Sequence, residues 1–287
     1  MIHRFCITHK DPLLPEGWYD DCIALGDFHS DSMFHVKQLD SYWHEARPLA
    51  YGAAGSHVLP IAISKLIHRP HLIEISSYRK RILPSPEGME APSYPTMREL
   101  SLRAVANQPE LSEFTPAAGL EFLVAQPRYF KKSIIGQYGA CHHRQDILDY
   151  TSLAVEMGVL DSNSASKFLG SKHFIPGGIE LGIYPAEWLT SVLSKVESIS
   201  RQFLNRYRER LKKYDTYQVR AIGFLSERLG SFLLISQLTE LYSNNIPAEI
   251  FGYMSVIVDD NAGYSIASTD SQGGRSNRYR LNSRQAQ

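Results

Sequence analysis

The sequence predicts an α/β fold with a mainly parallel central sheet flanked by helices. Three observations lead there. Runs rich in β-branched and aromatic residues, such as "HLIEISSY" and "FGYMSVIV", alternate with longer runs whose apolar residues recur at helical spacing. Clusters of proline and glycine separate the two kinds of run. The 287 residues, 43% hydrophobic and 21% charged, are ordinary globular material, enough to bury a core without a disulfide or structural metal. Such alternation favours parallel strands joined by helical crossovers, and ligands of those sheets bind at the carboxyl ends of the strands.

In chain order, "HRFCITHK" alternates and is rich in β-formers, predicting a first strand that ends near Thr8. Pro12, Pro15 and Gly17 then form a loop, and "DDCIALGD" is a second strand closed by Gly26. Residues 31–67 read as helical at both ends, interrupted at Pro48 and around Gly52 and Gly55. "HLIEISSY" is the strongest strand. The segment after it, "RKRILPSPEGMEAPSYP", is dense in proline and charge and is expected to be a surface loop. A short helix is expected over residues 97–107, then a strand in "LEFLVAQP". Pro176-Gly177-Gly178 makes a turn before a strand-like "IELGIY". Pro185 occupies the first-turn position of a long helix running through Trp188, Leu189, Val192, Val196, Ile199, Phe203 and Tyr207. A second long helix covers "TYQVRAIGFLSERLGSFLL", residues 216–234, and "FGYMSVIVDD" is a late strand. There is no internal repeat. A single domain over residues 1–265 is expected, followed by a polar, flexible tail over 266–287.

Thirty basic side chains balance 30 acidic ones, whereas a duplex-binding protein carries a basic excess, so nucleic acid is disfavoured as a partner. Cys6, Cys22 and Cys141 are too scattered for a disulfide framework or a zinc knuckle, which fits a reducing cytoplasm. "MIHRFCITHK" lacks the apolar core of a signal peptide, and no window reaches the roughly 20 apolar residues that span a bilayer. The expected location is the cytoplasm, in solution or at the inner face of the cytoplasmic membrane. The basic run "RYRERLKKY" ends the first long helix. It reads either as a solvated face at the favourable end of the helix dipole or as a patch drawn to anionic lipid headgroups.

Thr8-His9-Lys10 follows the first strand and Ser77-Tyr78-Arg79-Lys80-Arg81 follows the central one. If the two strands are parallel neighbours, the clusters meet at one edge. Three consecutive cations repel unless an anion or carboxylates lie among them, and arginine's planar donors match phosphate oxygens. The run is either a solvated strand end or an anion site; Tyr78 favours the site, because an aromatic face stacks on a base or sugar. "QYGACHHRQDILDY" sets His142 and Asp146 one helical turn apart behind Gln137 and Tyr138. Such a pair ligates a metal or binds sugar hydroxyls, or is a helix-start histidine hydrogen-bonded to a carboxylate. Asp20-Asp21 and Asp259-Asp260 are the paired aspartates that could hold magnesium or manganese against a diphosphate, but the first precedes a strand and the second comes very late.

On the 216–234 helix, at about 100° per residue, Ile222, Leu225, Leu229, Phe232 and Leu233 form a core stripe. Arg220, Gly223, Glu227, Gly230 and Ser231 share the opposite face. A helix glycine costs about 1 kcal/mol relative to alanine, so two of them bracketing one carboxylate imply a close approach. Either another helix packs there, with Glu227 paired to Arg220 or Arg228, or open space lies above a rigidly held general base.

Taken together, "THK" after the first strand, Tyr42-Trp43, "SYRKRI", "QY" with its following His-x-x-x-Asp, and "YQVRAIGFLSERL" resemble a known family. It is that of the bacterial capsular-polysaccharide and O-antigen glycosyltransferases, long described only as a domain of unknown function, some of which are galactofuranosyltransferases. The resemblance spans most of the chain. Its most specific part is the last motif, where Arg220, Gly223-Phe224-Leu225 and Glu227-Arg228-Leu229 fall in register. Ser77 stands where the family has histidine, and residues 47–65 match poorly.

The resemblance implies a GT-A-type nucleotide-sugar fold whose central strand ends at the donor diphosphate. Ser-Tyr-Arg-Lys occupies the place of the metal-binding Asp-x-Asp of other GT-A enzymes. Fixed cations would then neutralise the leaving diphosphate, with no essential cofactor and with magnesium and manganese disfavoured. By the same resemblance Glu227 deprotonates the acceptor hydroxyl for an inverting in-line attack, while Tyr78, Arg79 and Lys80 hold the diphosphate. Thr8, His9 and Lys10 line the nucleotide; Gln137, Tyr138, His142, Asp146 and Arg220 hold sugar or phosphate oxygens; Arg228 orients Glu227. The implied activity is hexosyl transfer from a nucleotide-sugar, a UDP-sugar being favoured and UDP-galactofuranose included. Its acceptor is a glycan or lipid-linked glycan of a growing capsule, O-antigen or exopolysaccharide. Two other readings stand beside it: a metal-dependent hydrolase built on His142, His143 and Asp146, and a non-catalytic glycan- or partner-binding module docking through the glycine-bracketed helix face.

Overall fold

The structure of the protein, a computed structural model, describes residues 1–29, 34–91, 94–108, 111 and 114–259. The expected tail over 266–287 and Asp260 lie outside them. The first half of the sheet is parallel: β1 (Ile2–Thr8) lies between β2 (Asp21–Ala24) and β4 (Leu72–Ser77), with β3 (Phe34–His35) outside β2. Side chains alternate faces along a strand. Phe5 and Ile7 enter the large core while Cys6 enters a smaller one on the other side, and Ile73 and Ile75 of β4 join the large core.

Between β3 and β4 come α1 (Val36–Leu39), α2 (Ser41–Ala50) and α3 (Ala53–Ser64). Asp40 caps α2, its side chain accepting from the Tyr42 amide at 2.9 Å. The expected break at Pro48 is absent: α2 carries that proline internally and ends two residues later, where Tyr51 turns the chain at φ 51°.

The expected surface loop after β4 is instead β5 (Lys80–Leu83) and β6 (Met89–Ala91), and the helix expected over 97–107 is the end of β7 (Tyr94–Ser101) followed by α4 (Leu102–Ala106). Long-range pairing decided both. The late strand β12 (Phe251–Val258) inserts between β5 and β7, antiparallel to the first and parallel to the second, and its ladders override local propensity. Charge on β5 is tolerated because Arg81 is neutralised inside the protein. Its guanidinium forms a two-pronged pair with Glu74 of β4, donates to the Leu111 carbonyl at 2.7 Å, and lies between the rings of Trp18 and Phe114.

The strand expected in "LEFLVAQP" is the short β8 (Val124–Ala125), paired with β12. After it come β9 (Arg128–Tyr129), α5 (Ile134–Cys141), α6 (Arg144–Glu156), α7 (Ser162–Gly170), and β10 (His173–Phe174), which pairs with β9 in a separate ribbon. β11 (Gly182–Pro185) adds antiparallel to β4, and Pro185 begins α8 (Ala186–Leu211). A 3-10 turn, Gln218–Arg220, leads into α9 (Ala221–Leu241).

The two faces of the sheet are covered unequally. The large core gathers α2, α3, α5, α6, α8 and α9 over one face, while residues 13–19 and α4 cover the other with a thin layer around Leu14, Trp18, Leu100 and Val105. The order β3-β2-β1-β4-β5-β12-β7-β6 thus forms an α/β fold whose parallel half, flanked by helices, is the one expected. Among the described residues no helix is long and apolar enough to cross a membrane.

Candidate functional site

Because β1 and β4 are parallel neighbours, with Ile7 opposite Ser77, their carboxyl ends emerge side by side. There the chain opens a cleft of about 680 Å³, walled by His9, Ser76, Ser77, Tyr78, Arg79 and Lys80 from the strand ends, and by Arg220, Gly223, Phe224 and Glu227 from the start of α9. The other walls come from residues 47–56 and from the Gly177–Leu181 stretch. A smaller depression at the amino end of β4, beside His71, Glu121 and Trp188, has no such gathering of cations.

Tyr78 organises the strand-end cluster. His9 packs edge-on to its ring at 5.2 Å, and Lys10 Nζ and the Arg79 guanidinium stand 4.7 and 5.4 Å from its centroid. Thr8 is buried and binds the backbone of Lys10 through its hydroxyl, so it shapes the loop and does not line the cleft. Alternation along β5 sends neighbouring cations to opposite fates. Lys80 lines the cleft while Arg81 is locked to Glu74 on the far face, so the three consecutive cations do not act as one cluster. Burial, then the charges of Arg79 and Arg220, lower the pKa of Lys80, with Glu227 opposing the shift. Burial, then the charges of Arg47 and Lys10, lower the pKa of His9 as well. A cavity that crowds cations at this cost is relieved by an anion.

Glu227 is fixed by a main-chain donor. The Gly177 amide donates to its Oε1 at 2.8 Å, and among the described residues its other oxygen has no hydrogen bond. That turn needs glycine: Gly177 and Gly178 have φ of +83° and +52°, and a Cβ on Gly178 would lie 2.6 Å from the Glu227 carbonyl oxygen. The two glycines of α9 have different causes. Gly230 is a packing glycine, its missing Cβ replaced by Ile179 at 2.7 Å, whereas Gly223 faces open space in the cleft. The polar face expected around Glu227 therefore divides, with Gly230 and Ser231 buried beneath the 175–179 turn, where the Ile175 amide donates to Ser231 Oγ at 2.7 Å. The expected core stripe is fully buried at Ile222, Leu225 and Leu229, and partly at Phe232 and Leu233.

Neither expected arginine partner orients Glu227. Arg228 turns into the interior, donating to Gln137 Oε1 at 2.8 Å and to the Phe224 carbonyl at 2.8 Å while lying over Tyr138. Arg220 stays at the cleft, over the rings of Tyr51 and Phe224. Gln137, half-buried, thus joins the buried Tyr138 and Arg228 in a cluster that is not a wall of the cleft.

His142 and Asp146 do not share a helix. His142 ends α5 and Asp146 lies in the first turn of α6. His142 donates to Gln218 Oε1 at 3.0 Å and stacks on Phe224 at 4.2 Å, and burial with the Arg228 charge pushes its pKa down to about 4. Asp146 is fully buried, accepting from Arg210 at 2.8 Å and Tyr214 at 3.0 Å, its pKa raised by burial. His143 stacks on Tyr214. These three side chains each have other partners, and among the described residues no group of three or more His, Cys, Asp and Glu could hold a metal. The site expected for a metal-dependent hydrolase is therefore not assembled. Asp20 and Asp21 serve the amino end of the sheet, accepting from the Arg4 amide at 2.8 Å and bonding His3 at 3.0 Å.

Sequence reasoning missed three cleft residues. Glu180 lies beside Glu227 and accepts from Ser226 Oγ at 2.9 Å; burial and the Glu227 charge push its pKa up to about 8. Its place in the strand-like "IELGIY", just after the Pro176-Gly177-Gly178 turn, was the available signal. Arg47 lies against Gly26, where a Cβ would come within 2.8 Å of its guanidinium, and among the described residues its buried Nε has no hydrogen-bond partner. Tyr51, a bulky residue at positive φ, sits in the wall beside it.

No protein-family model and no curated protein matches the sequence. Among solved structures, the apo form of the WbbM bifunctional glycosyltransferase is similar, with a TM-score of 0.70 at 10% identity. The match covers 90% of this chain and 45% of that one, so the chain spans less than half the length of the protein it resembles. At that identity the likeness is one of fold: the cleft at the ends of β1 and β4 is built on a scaffold shared with a glycosyltransferase.

Proposed function

We propose that the chain transfers a sugar from a nucleoside-diphosphate donor to an acceptor hydroxyl in this cleft. The observation that carries the reading is the meeting of Arg79, Lys80 and Arg220 with Glu227 across one cavity at the carboxyl ends of parallel strands. In the reaction, Glu227 takes the proton of the acceptor hydroxyl as its oxygen attacks the anomeric carbon. The bond from that carbon to the diphosphate oxygen breaks, and the diphosphate leaves with the electron pair. Fixed cations aimed at the developing charge stabilise the transition state without reorganising, in a place where a divalent ion serves in other enzymes. We assign Arg79, Lys80 and Arg220 to the diphosphate, His9, Tyr78 and Arg47 to the nucleoside side, and Glu180 to holding a neutral acid next to the base. Direct attack on the opposite face inverts the anomeric centre. A UDP-sugar, UDP-galactofuranose among the candidates, and a surface-polysaccharide acceptor follow from the family resemblance.

The test is a screen of nucleotide-sugars against synthetic and lipid-linked acceptors, read as released nucleoside diphosphate. The reading expects release with at least one donor, unchanged by chelator, and a fall of about 10²–10⁴ in Glu227→Gln. Full turnover in that variant removes Glu227 from the mechanism, and silence toward every donor removes the proposal.

A further inference from the structure

The chain as a whole is electrically balanced, 30 cations against 30 anions, yet one surface is not. No Asp or Glu occurs between Glu121 and Asp146 or between Asp161 and Glu180, and these two segments meet in the β9–β10 ribbon. The Phe130 amide donates to the Lys172 carbonyl at 2.8 Å and the Ile134 amide to the Ser171 carbonyl at 2.7 Å, so residues 128–134 lie along residues 171–174. Pairing fixes the two faces. Phe174 is buried and stacks on Phe130 at 5.4 Å, while Tyr129, 62% exposed, stands opposite His173 on the outside with Lys172 Nζ 5.9 Å from its ring. Lys131 and Lys132 are exposed at the start of α5, and Lys167 is exposed on α7, which packs against α5.

The other basic run, at the end of α8, is neutralised at three of its five cations, Arg208 and Lys213 having no ion pair among the described residues. Arg206 pairs with Glu156, Arg210 with Asp146 and Asp149, and Lys212 with Glu209. Among the described residues, no such ion pair engages Lys131, Lys132 or Lys172. A compact set of uncompensated lysines around an exposed tyrosine fits one surface in particular. Anionic headgroups attract the charges additively, and an aromatic ring with a polar tip settles at the headgroup level.

We propose that the β9–β10 ribbon, with Tyr129 at its centre and Lys131, Lys132 and Lys172 around it, docks the chain on an anionic lipid bilayer. The ribbon runs directly into the turn whose Gly177 amide holds Glu227, so one short stretch of chain links the docking surface to the cleft wall. This surface is separate from the cleft and stands whether or not the cleft transfers sugar.

Vesicle co-sedimentation of the whole chain tests it without any donor, using phosphatidylcholine alone, phosphatidylcholine with 30% phosphatidylglycerol, and duplex DNA as a competitor. The expected result is binding to the anionic vesicles only, weakening as salt rises. Lys131→Glu combined with Lys132→Glu and Lys172→Glu should lower it by at least about 100-fold, since each basic residue near the surface contributes roughly five-fold. Tyr129→Ser should lower it several-fold, Lys212→Glu with Lys213→Glu just after α8 less than two-fold, and the triple variant should keep its unfolding midpoint. Equal binding to neutral vesicles, unchanged binding by the triple variant, or displacement by DNA at lower charge equivalents than lipid would overturn the proposal.

Discussion

At the scale of single residues, Arg79, Lys80 and Arg81 are adjacent in sequence and have two different environments. The first two stand in the cleft, and the third is a buried ion pair whose removal would strand Glu74 with only the edge contact from Arg4. The sequence showed a cationic run and the need for a compensating acid, but not which cation the acid would take, because Glu74 lies on the opposite face of the sheet from Glu227. Glu180 escaped notice for a similar reason, since a carboxylate in a strand-like run has no motif until a second acid is brought beside it. Its raised pKa carries a stability signature. The folded state holds the proton up to about pH 8, whereas an unfolded glutamate loses it near 4.3. The contribution is therefore full below about pH 4.3 and is lost as pH rises toward 8. Glu180→Gln should match the wild type in thermal unfolding at about pH 4 and gain on it steadily up to pH 8, by on the order of 2 kcal/mol after allowance for partial solvent screening. A difference that stays constant with pH would show that Glu180 is not the group that titrates.

At the scale of elements, α9 shows that two glycines of one motif can have opposite meanings. Gly230→Ala would drive a methyl into Ile179 and should destabilise by about 1–3 kcal/mol. Gly223→Ala meets no atom within 4 Å and should stabilise the helix by about 0.5–1 kcal/mol while narrowing the cleft above Glu227. Chemical denaturation of the two variants checks the pair, and destabilisation by both would mean the cleft side of α9 is packed and not open. Periodicity located α8, α9 and the strands β1, β2, β4 and β12, whose patterns are long or strongly apolar. It failed over residues 79–107, where β5 and β7 are stabilised by pairing with a strand more than 150 residues later, β6 by pairing with β7, and local composition favours loop and helix. It also set His142 and Asp146 one helical turn apart, whereas they belong to α5 and α6, since no proline or helix-ending glycine marks the bend at His142 and His143.

At the scale of the whole molecule, an unequal sandwich determines where chemistry is possible. The thick helical layer stops short at the carboxyl ends of β1 and β4, and the start of α9 and the Gly177–Leu181 stretch stand around the gap it leaves. The residues quoted for the family resemblance supply the cations and the carboxylate, while the poorly matching residues 47–56 supply another wall, including Arg47 and Tyr51. The site's chemistry was thus partly legible from motifs, and its shape was not, because the walls are joined only by the folding of distant segments. The central claim is that these cations form a diphosphate site facing Glu227, and isothermal titration of uridine and guanosine diphosphates into wild type, Arg79→Ala and Glu227→Gln tests it most directly. The account predicts that at least one nucleotide binds the wild type, that Arg79→Ala weakens it by about 10- to 100-fold with a shallower salt dependence, and that Glu227→Gln binds as well as or better than the wild type. Absence of binding by either nucleotide, or an Arg79→Ala affinity equal to that of the wild type, would contradict it.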